Sequence, residues 1–230
     1  MKRILIVNAD DFGRSFGINR GVARAHEHGV VTSASLMVRY PASARAAAYA
    51  RQRPSLSLGL HVDLGEWSLA DGKWQAIYER HPVEQEVESQ LQAFRSLVGV
   101  DPTHLDSHQH AHRHEPLRSQ LVELAAELSV PLRDLNPHVR YLGSFYGQDS
   151  QGKPLRSTIN VEGLLRLIDE LPEGVTELGC HPGDATALVS RYVEERSIEV
   201  ETLCDPRVRA AIADGQIELC TFPEALSWPA

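Results

Sequence analysis

Short β-rich runs alternate with longer helical patterns along nearly the whole chain, and this alternation limits the fold more than any other feature. Residues 3–8 form an apolar run, and a helix pattern follows from Gly17 to His28. Val30–Val38 is strand-like, Ala42–Arg53 is alanine-rich and helical, and Leu56–Val62 alternates apolar and small residues. A polar connection carrying Trp67 and Trp74 leads to Val83–Val98, where Val87, Leu91, Phe94 and Leu97 share one helical face. Thr103–Asp106 reads as a strand, and Glu115–Leu128 as a helix with proline in its first turn. Pro131–Tyr141 holds a further strand, and residues 142–158 read as a long loop or lid. A helix over Val161–Leu171, a strand at Val175–Cys180, helical stretches at Val193–Leu203 and Pro206–Ala213, and strand-like Gln216–Cys220 complete the pattern. Such alternation calls for parallel strands joined by helical crossovers. With 230 residues, no internal repeat and no linker, the expected fold is a single α/β domain over 1–230. The favoured architecture is a TIM-like (β/α) barrel, irregular or incomplete. A doubly wound open sheet is the alternative, because periodicity does not separate the two.

Charge and cysteine usage narrow the function classes. The net charge of -8 leaves no basic excess to neutralise phosphates, which argues against nonspecific binding to nucleic acid or anionic membrane. The apolar run Ile4–Val7 is shorter than the roughly 7–15 residues of a secretory core, and no stretch reaches the length of a membrane span. Cys180, Cys204 and Cys220 are too scattered for a disulfide framework and read as buried thiols, so a cytoplasmic protein is expected. A homodimer would be expected from base rates alone. Eleven histidines are the one compositional oddity.

Four polar clusters fall at the ends of four expected strands, where parallel α/β folds bind ligands. The first is Asn8-Ala9-Asp10-Asp11-Phe12-Gly13. Adjacent carboxylates leaving an apolar strand are costly unless paired with a cation, although a helix N-cap is the competing role. The second is Gly59-Leu60-His61-Val62-Asp63, where Gly59 permits close approach of backbone or substrate. The third runs from His104 to His114. His104, His108, His110, His112 and His114 share parity, so an extended segment would point them one way. His108, just beyond Asp106, is the best ligand candidate of this cluster, with Asp106 as ligand or as orienter of a ligating imidazole. His112 and His114 read as solvated. The fourth is Gly179-Cys180-His181-Pro182-Gly183, whose Pro-Gly turn would leave His181 at a barrel rim. Cys180 reads as buried rather than nucleophilic.

At these residues the chain resembles the YdjC-like carbohydrate deacetylases. The resemblance runs through "ILIVNADDFG", Gly29-Val30-Val31-Thr32-Ser33-Ala34-Ser35, "GLH", "THLDSHQHAH" and "CHPG". It implies a TIM-like barrel and a divalent metal, Mg2+ or Zn2+, held by Asp11, His61 and His108. Similarity to the broader polysaccharide deacetylases implies Asp10 as general base. The expected reaction is removal of an acetyl group from an acetylated sugar, with His181 as the acid that protonates the leaving amine. Arg133 reads either as the orienter of a carboxylate or as a surface ion pair, and Trp67, Trp74 and Tyr146 as a sugar-stacking wall or ordinary packing. Two rival functions remain: a metallophosphoesterase on a barrel, and an inactive metal- or sugar-binding relative.

Overall fold

The computed structural model describes residues 2–70, 73–80, 82–149, 151–184 and 192–227. In chain order they form β1 (Arg3–Phe12), α1 (Phe16–Glu27), β2 (Ser33–Leu36), α2 (Ser43–Arg51), β3 (Ser57–Val62), β4 (Gly65–Ala70), β5 (Lys73–Glu79), α3 (Val83–Val98) and β6 (Leu105–Ser107). A 3₁₀ turn (His108–Arg113) leads into α4 (Leu117–Leu128), β7 (Val139–Leu142), α5 (Val161–Asp169), β8 (Gly174–Cys180), α6 (Glu194–Leu203), α7 (Pro206–Asp214), β9 (Ile217–Leu219) and α8 (Phe222–Leu226). Helix starts follow local chemistry. Ser15 caps α1 by accepting the Ile18 amide, Asn160 caps α5, and Thr221 with Glu224 closes a capping box on α8.

Seven parallel strands lie in the order β6-β3-β2-β1-β8-β7, with β9 also pairing β1. Side-chain alternation along β1 sorts the two faces. Leu5, Val7 and Ala9 pack outward with the α1 residues Ile18, Val22 and Ala25. Ile4 and Ile6 point the other way, into a smaller cluster with Val139, Val175, Cys220, Phe222 and Ala225 that closes one end of the interior. Above them the same inward register continues with Asn8 and Asp10, both buried.

One contact set separates a barrel from an open sheet. Arg133 lies 2.7 Å from Asp106 on β6 and 2.6 Å from Glu177 on β8. Four steps separate those strands in the sheet order. In a flat sheet four steps of about 4.8 Å would hold them roughly 19 Å apart, so the sheet curls until both carboxylates face one guanidinium. The curl stops short of full closure. Beyond β6 a lone bridge, Leu105 to Leu132, takes the place of a strand, and a seam remains between this segment and β7. The irregular barrel is therefore the architecture, and the doubly wound alternative falls.

Two local readings change. The strand expected over Pro131–Tyr141 is only β7, because Leu132–Arg133 serves as the bridge beside β6. The polar connection after β3 is an antiparallel hairpin, β4–β5, whose base is fastened by buried Asp63: it accepts from the Gly65 amide (3.0 Å) and from Tyr40 (3.0 Å).

Gly59 turns out to serve packing rather than a substrate. A Cβ there would lie 2.4–2.6 Å from three ring atoms of His104, a fully buried side chain stacked on Phe222 at 3.9 Å. Gly59→Ala is therefore expected to destabilise the fold by about 1–3 kcal/mol through overpacking, read as a lowered Tm; an unchanged Tm would show that the ring has room to move.

Candidate metal centre

The two adjacent carboxylates of β1 reach the same end of the barrel because the strand breaks its own alternation. Adjacent residues of a regular strand face opposite sides. Asp11 instead adopts a left-handed backbone (φ 64°), and the pairing of β1 with β2 shifts register between Ala9 and Phe12. A bulge of this kind re-aims a side chain. Asp10 keeps the inward direction, and Asp11 swings toward β3 and the 3₁₀ turn.

There Asp11 meets His61 and His108. Its Oδ1 lies 3.6 Å from His61 Nε2 and 3.1 Å from His108 Nδ1. One donor atom from each of the three residues falls within 4.8 Å of the others. Asp11 Oδ1 is nevertheless buried without a hydrogen-bond partner, while its Oδ2 is engaged by Arg196 of α6. A buried carboxylate oxygen facing two ring nitrogens, with no hydrogen bond to either, is the donor arrangement that a shared cation satisfies. The three residues fit a divalent ion.

Each imidazole is held from its far side. His61 Nδ1 donates to Asp106 Oδ1 at 2.8 Å, so Nε2 is turned toward Asp11. His108 is oriented in the opposite sense: Nε2 faces Glu66 Oε2 of the hairpin at 3.1 Å and leaves Nδ1 toward Asp11. Arg14 braces Glu66 at 2.6 Å. Two backbone-type bonds dock the hairpin on the same turn, since the Trp67 amide donates to Gln109 Oε1 (3.0 Å) and Gln109 Nε2 donates to the Trp67 carbonyl (2.7 Å).

Asp10 is held apart from this trio. Arg133 donates to both of its oxygens at 2.7 Å, and Asn8 donates to Oδ1 at 2.9 Å. Burial works against its charge, but the Arg133 guanidinium outweighs that and keeps its carboxyl below the usual range. Asp106 is likewise depressed by Arg133 and His61, whereas Glu177 is pushed up to about 7 by burial. His181 lies at the end of β8 with Nε2 3.8 Å from Asp10 Oδ2. Burial pushes it down to about 4, so its ring is neutral at ordinary pH. Glu199 accepts the His181 backbone amide and the Tyr192 hydroxyl, and Tyr146 meets the His181 ring edge-on at 5.3 Å.

The expected residues thus converge, with instructive exceptions. Asp10, Asp11, His61, His108 and His181 gather at one end of the barrel, and Arg133 proves to be the buried partner of Asp10 rather than a surface pair. The histidine run does not behave as an extended segment: β6 stops at Ser107, and Gln109 and His110 are left-handed. His112 is fully buried and bonded to Ser107 Oγ at 2.7 Å, which overturns the expectation that it is solvated, while His114 is exposed. Asp10 and Asp11 do not cap α1, a task that falls to Ser15. Tyr146 stacks on Tyr192 at 4.7 Å beside His181, and Trp67 is exposed on β4. The side chain of Trp74 lies outside the described residues. Cys180 is buried, with its thiol pushed up by that burial, as a structural residue should be. Arg196 and Glu66 went unforeseen. No sequence pattern marked Arg196, since α6 buries Glu195, Arg196 and Glu199 where a helix normally buries apolar residues.

A curled parallel sheet carrying a carboxylate and two imidazoles at the ends of separate strands defines a (β/α)-barrel protein with a metal-type centre. The chain belongs to the YdjC-like protein family, whose model matches residues 4–214. It is 34% identical to the carbohydrate deacetylase of Geobacillus stearothermophilus, covering 97% of this chain and 98% of that one. It is 33% identical to the chitooligosaccharide deacetylase of Serratia marcescens, covering 97% and 100%. Among solved structures it superposes, with a TM-score of 0.80 and 27% identity over 97% of this chain and 99% of the other, on an Enterococcus faecalis V583 protein described as a candidate for cellobiose-phosphate cleavage. A family 4 carbohydrate esterase from Streptomyces lividans shares the fold at a TM-score of 0.54 and 14% identity, covering 95% and 91%. Among the described residues no helix is long and apolar enough to cross a membrane.

Asp11 and Glu66 pull His108 up to about 9 in the metal-free protein. The ring must shed that proton before Nδ1 can bind an ion. Apparent affinity for a divalent ion should therefore rise about tenfold per pH unit up to about pH 9 and level off above it. Calorimetric titration near neutrality in buffers of different ionisation enthalpy should register close to one released proton; a buffer-independent heat would remove His108 from the centre.

Proposed function

We propose that the protein is a divalent-metal-dependent carbohydrate deacetylase that hydrolyses the N-acetyl group of an amino sugar or its oligomer. The observation that carries this reading is the division of labour between adjacent carboxylates. Asp11 turns an unpartnered oxygen toward two imidazoles, while Asp10 is held ionised by Arg133 and lies beside His181. The names of the Geobacillus and Serratia relatives point the same way. When bound by Asp11, His61 and His108, the ion, Mg2+ or Zn2+, would polarise the acetyl carbonyl and acidify a water.

The protein's own groups handle the protons. Asp10, with both oxygens fixed by Arg133, accepts the proton that the attacking water gives up. As the water oxygen bonds to the acetyl carbon and the C–N bond breaks, the departing nitrogen needs that proton back. His181, neutral at rest and 3.8 Å from Asp10, can take it up and deliver it. This refines the expectation of a pre-protonated acid: His181 is a relay, so it puts no limb in the rate profile near neutral pH.

A phosphoesterase reading is weaker on these residues. Arg14, Arg133 and Arg196 surround the centre, but each is committed to carboxylates, Glu66, Asp10 with Glu177, and Asp11 respectively. Phosphate would have to displace them.

The direct test is acetate release from N-acetylglucosamine and chitooligosaccharides by chelated protein given Mg2+ or Zn2+. Asp10→Asn should bind the ion normally yet lose turnover by about 10²–10⁴-fold. No acetate from any acetylated sugar with either ion would sink the reading, and near wild-type turnover in Asp10→Asn would move the base elsewhere. His181→Ala should leave ion content unchanged and cost amide substrates about 10²–10⁴-fold, while sparing activated esters whose leaving groups need no proton. Equal losses on both substrate types would make His181 a structural rim residue.

A further inference from the structure

A second set of donors lies in the barrel seam, between the Leu132 bridge and β7. His110 and His112 come from the 3₁₀ turn, and Asp134 directly follows Arg133. One donor atom from each falls within 4.8 Å of the others. We propose that this seam is a second divalent-metal site, built from His110, His112 and Asp134, which takes a borderline transition ion such as Zn2+ and rejects Mg2+.

The unpaired nitrogens are the first support. His112 is fully buried; Ser107 Oγ engages its Nδ1 at 2.7 Å, and its Nε2 has no partner. His110 Nδ1 is also buried without a partner. A buried polar atom left without a partner is costly to the fold. One nitrogen of each ring lies within 4.8 Å of the other and of an Asp134 oxygen, so a cation bound between them would satisfy donors the protein leaves unpaired.

The outer contacts are those of a metal site. Ligating imidazoles and carboxylates are normally fixed from behind by hydrogen bonds. Ser107 fixes His112. Arg113 donates through Nε (2.8 Å) and Nη2 (2.5 Å) to Asp134 Oδ2, leaving Oδ1 available. Tyr141 meets the His110 ring edge-on at 5.4 Å. The seam is also distinct from the Asp11 centre. The left-handed residues Gln109 and His110 redirect the chain, so His108 faces Asp11 while His110 lies 5.8 Å, centroid to centroid, from His112.

Donor chemistry sets the choice of ion. Two imidazoles and one carboxylate suit zinc and its transition-metal neighbours, whereas Mg2+ demands oxygen ligands and keeps its waters. The Asp11 centre has the same donor types but further carboxylates close by, Asp10 near His61 and Glu66 3.1 Å from His108, and extra oxygen donors favour a hard ion. The seam offers the one carboxylate of Asp134, which Arg113 already engages.

The test is a metal count on the chelated full-length protein, by calorimetry and by elemental analysis after gel filtration. The wild type should take two equivalents of Zn2+ and one of Mg2+. His110→Ala and Asp134→Asn should each fall to one equivalent of Zn2+ and keep their Mg2+, and neither removes the buried His112 ring. Asp11→Asn should also fall to one Zn2+ but lose Mg2+ binding. A wild type that holds a single Zn2+ retained in both seam variants, or a second equivalent that survives in both, overturns the site. Loss confined to Asp11→Asn likewise overturns the seam while leaving the Asp11 centre standing. Loss confined to the seam variants supports the seam and counts against the Asp11 centre instead.

Discussion

The Arg133 guanidinium is the interaction on which the rest depends. It is buried, and it bonds Asp10 of β1, Asp106 of β6 and Glu177 of β8 at 2.6–2.8 Å. Three carboxylates in a desolvated interior would repel one another and shed their charge without it. Removing one partner of such a buried set commonly costs about 3–5 kcal/mol, because the charges left behind have no compensation. The same contact fixes the curvature of the sheet, since only a curled sheet brings β6 and β8 within reach of one side chain. Architecture and electrostatics are thus one constraint. The cation that holds the sheet curled also sets the ionisation of the carboxylates around it.

From that anchor the site divides by direction. Asp106 spends one oxygen on Arg133 and the other on His61 Nδ1, and so carries order from the interior to the Asp11 centre. Ser35 Oγ donates to Asp106 Oδ2 at 2.8 Å and accepts from Asn8 at 2.8 Å, and Asn8 in turn donates to Asp10. A polar network therefore links Asp10, Arg133 and His61 with little freedom to reorient. Networks of this kind are costly when partly satisfied and rigid when complete. Among the unsatisfied atoms around this end are Asp11 Oδ1 and His181 Nδ1, on residues proposed for the ion and the relay, and Asn8 Oδ1 within the network itself. Polar satisfaction is dense below the reacting groups and open where chemistry needs free valence.

Much of this was legible in the sequence, and the limits have physical causes. The βα alternation carried the parallel fold, and clusters at strand ends marked Asp10, Asp11, His61, His108 and His181 because carboxylates and imidazoles next to apolar strands need a reason. Barrel against open sheet was not legible, since the deciding contact joins residues 106, 133 and 177 across the fold. The parity argument at His104–His114 failed because it assumed extended backbone where two consecutive residues are left-handed. His112 was read as solvent-facing from its distance along the chain, but tertiary packing buried it. Arg196 left almost no trace, because a helix residue late in the chain gives no hint that it will cross to Asp11. The β4–β5 hairpin was missed because the stretch was read as a polar connection, although Asp63 fastens its base and Gln109 docks Trp67.

That hairpin explains why the two imidazoles present different nitrogens. His61 is oriented from within the barrel by Asp106, a residue fixed as soon as the core forms. His108 is oriented from outside by Glu66, which reaches it only when the hairpin is seated through Gln109 and Trp67. The orienting group behind an imidazole decides which nitrogen is free, so an inside partner leaves Nε2 and an outside partner leaves Nδ1. The two histidines therefore differ in what guarantees them. One depends on the buried charge network and shares its stability. The other depends on a part-buried contact with Glu66 and on exposed hydrogen bonds between the hairpin and a left-handed turn, which are easier to break. The hairpin is thus the element that ties the orientation of His108 to the rest of the barrel.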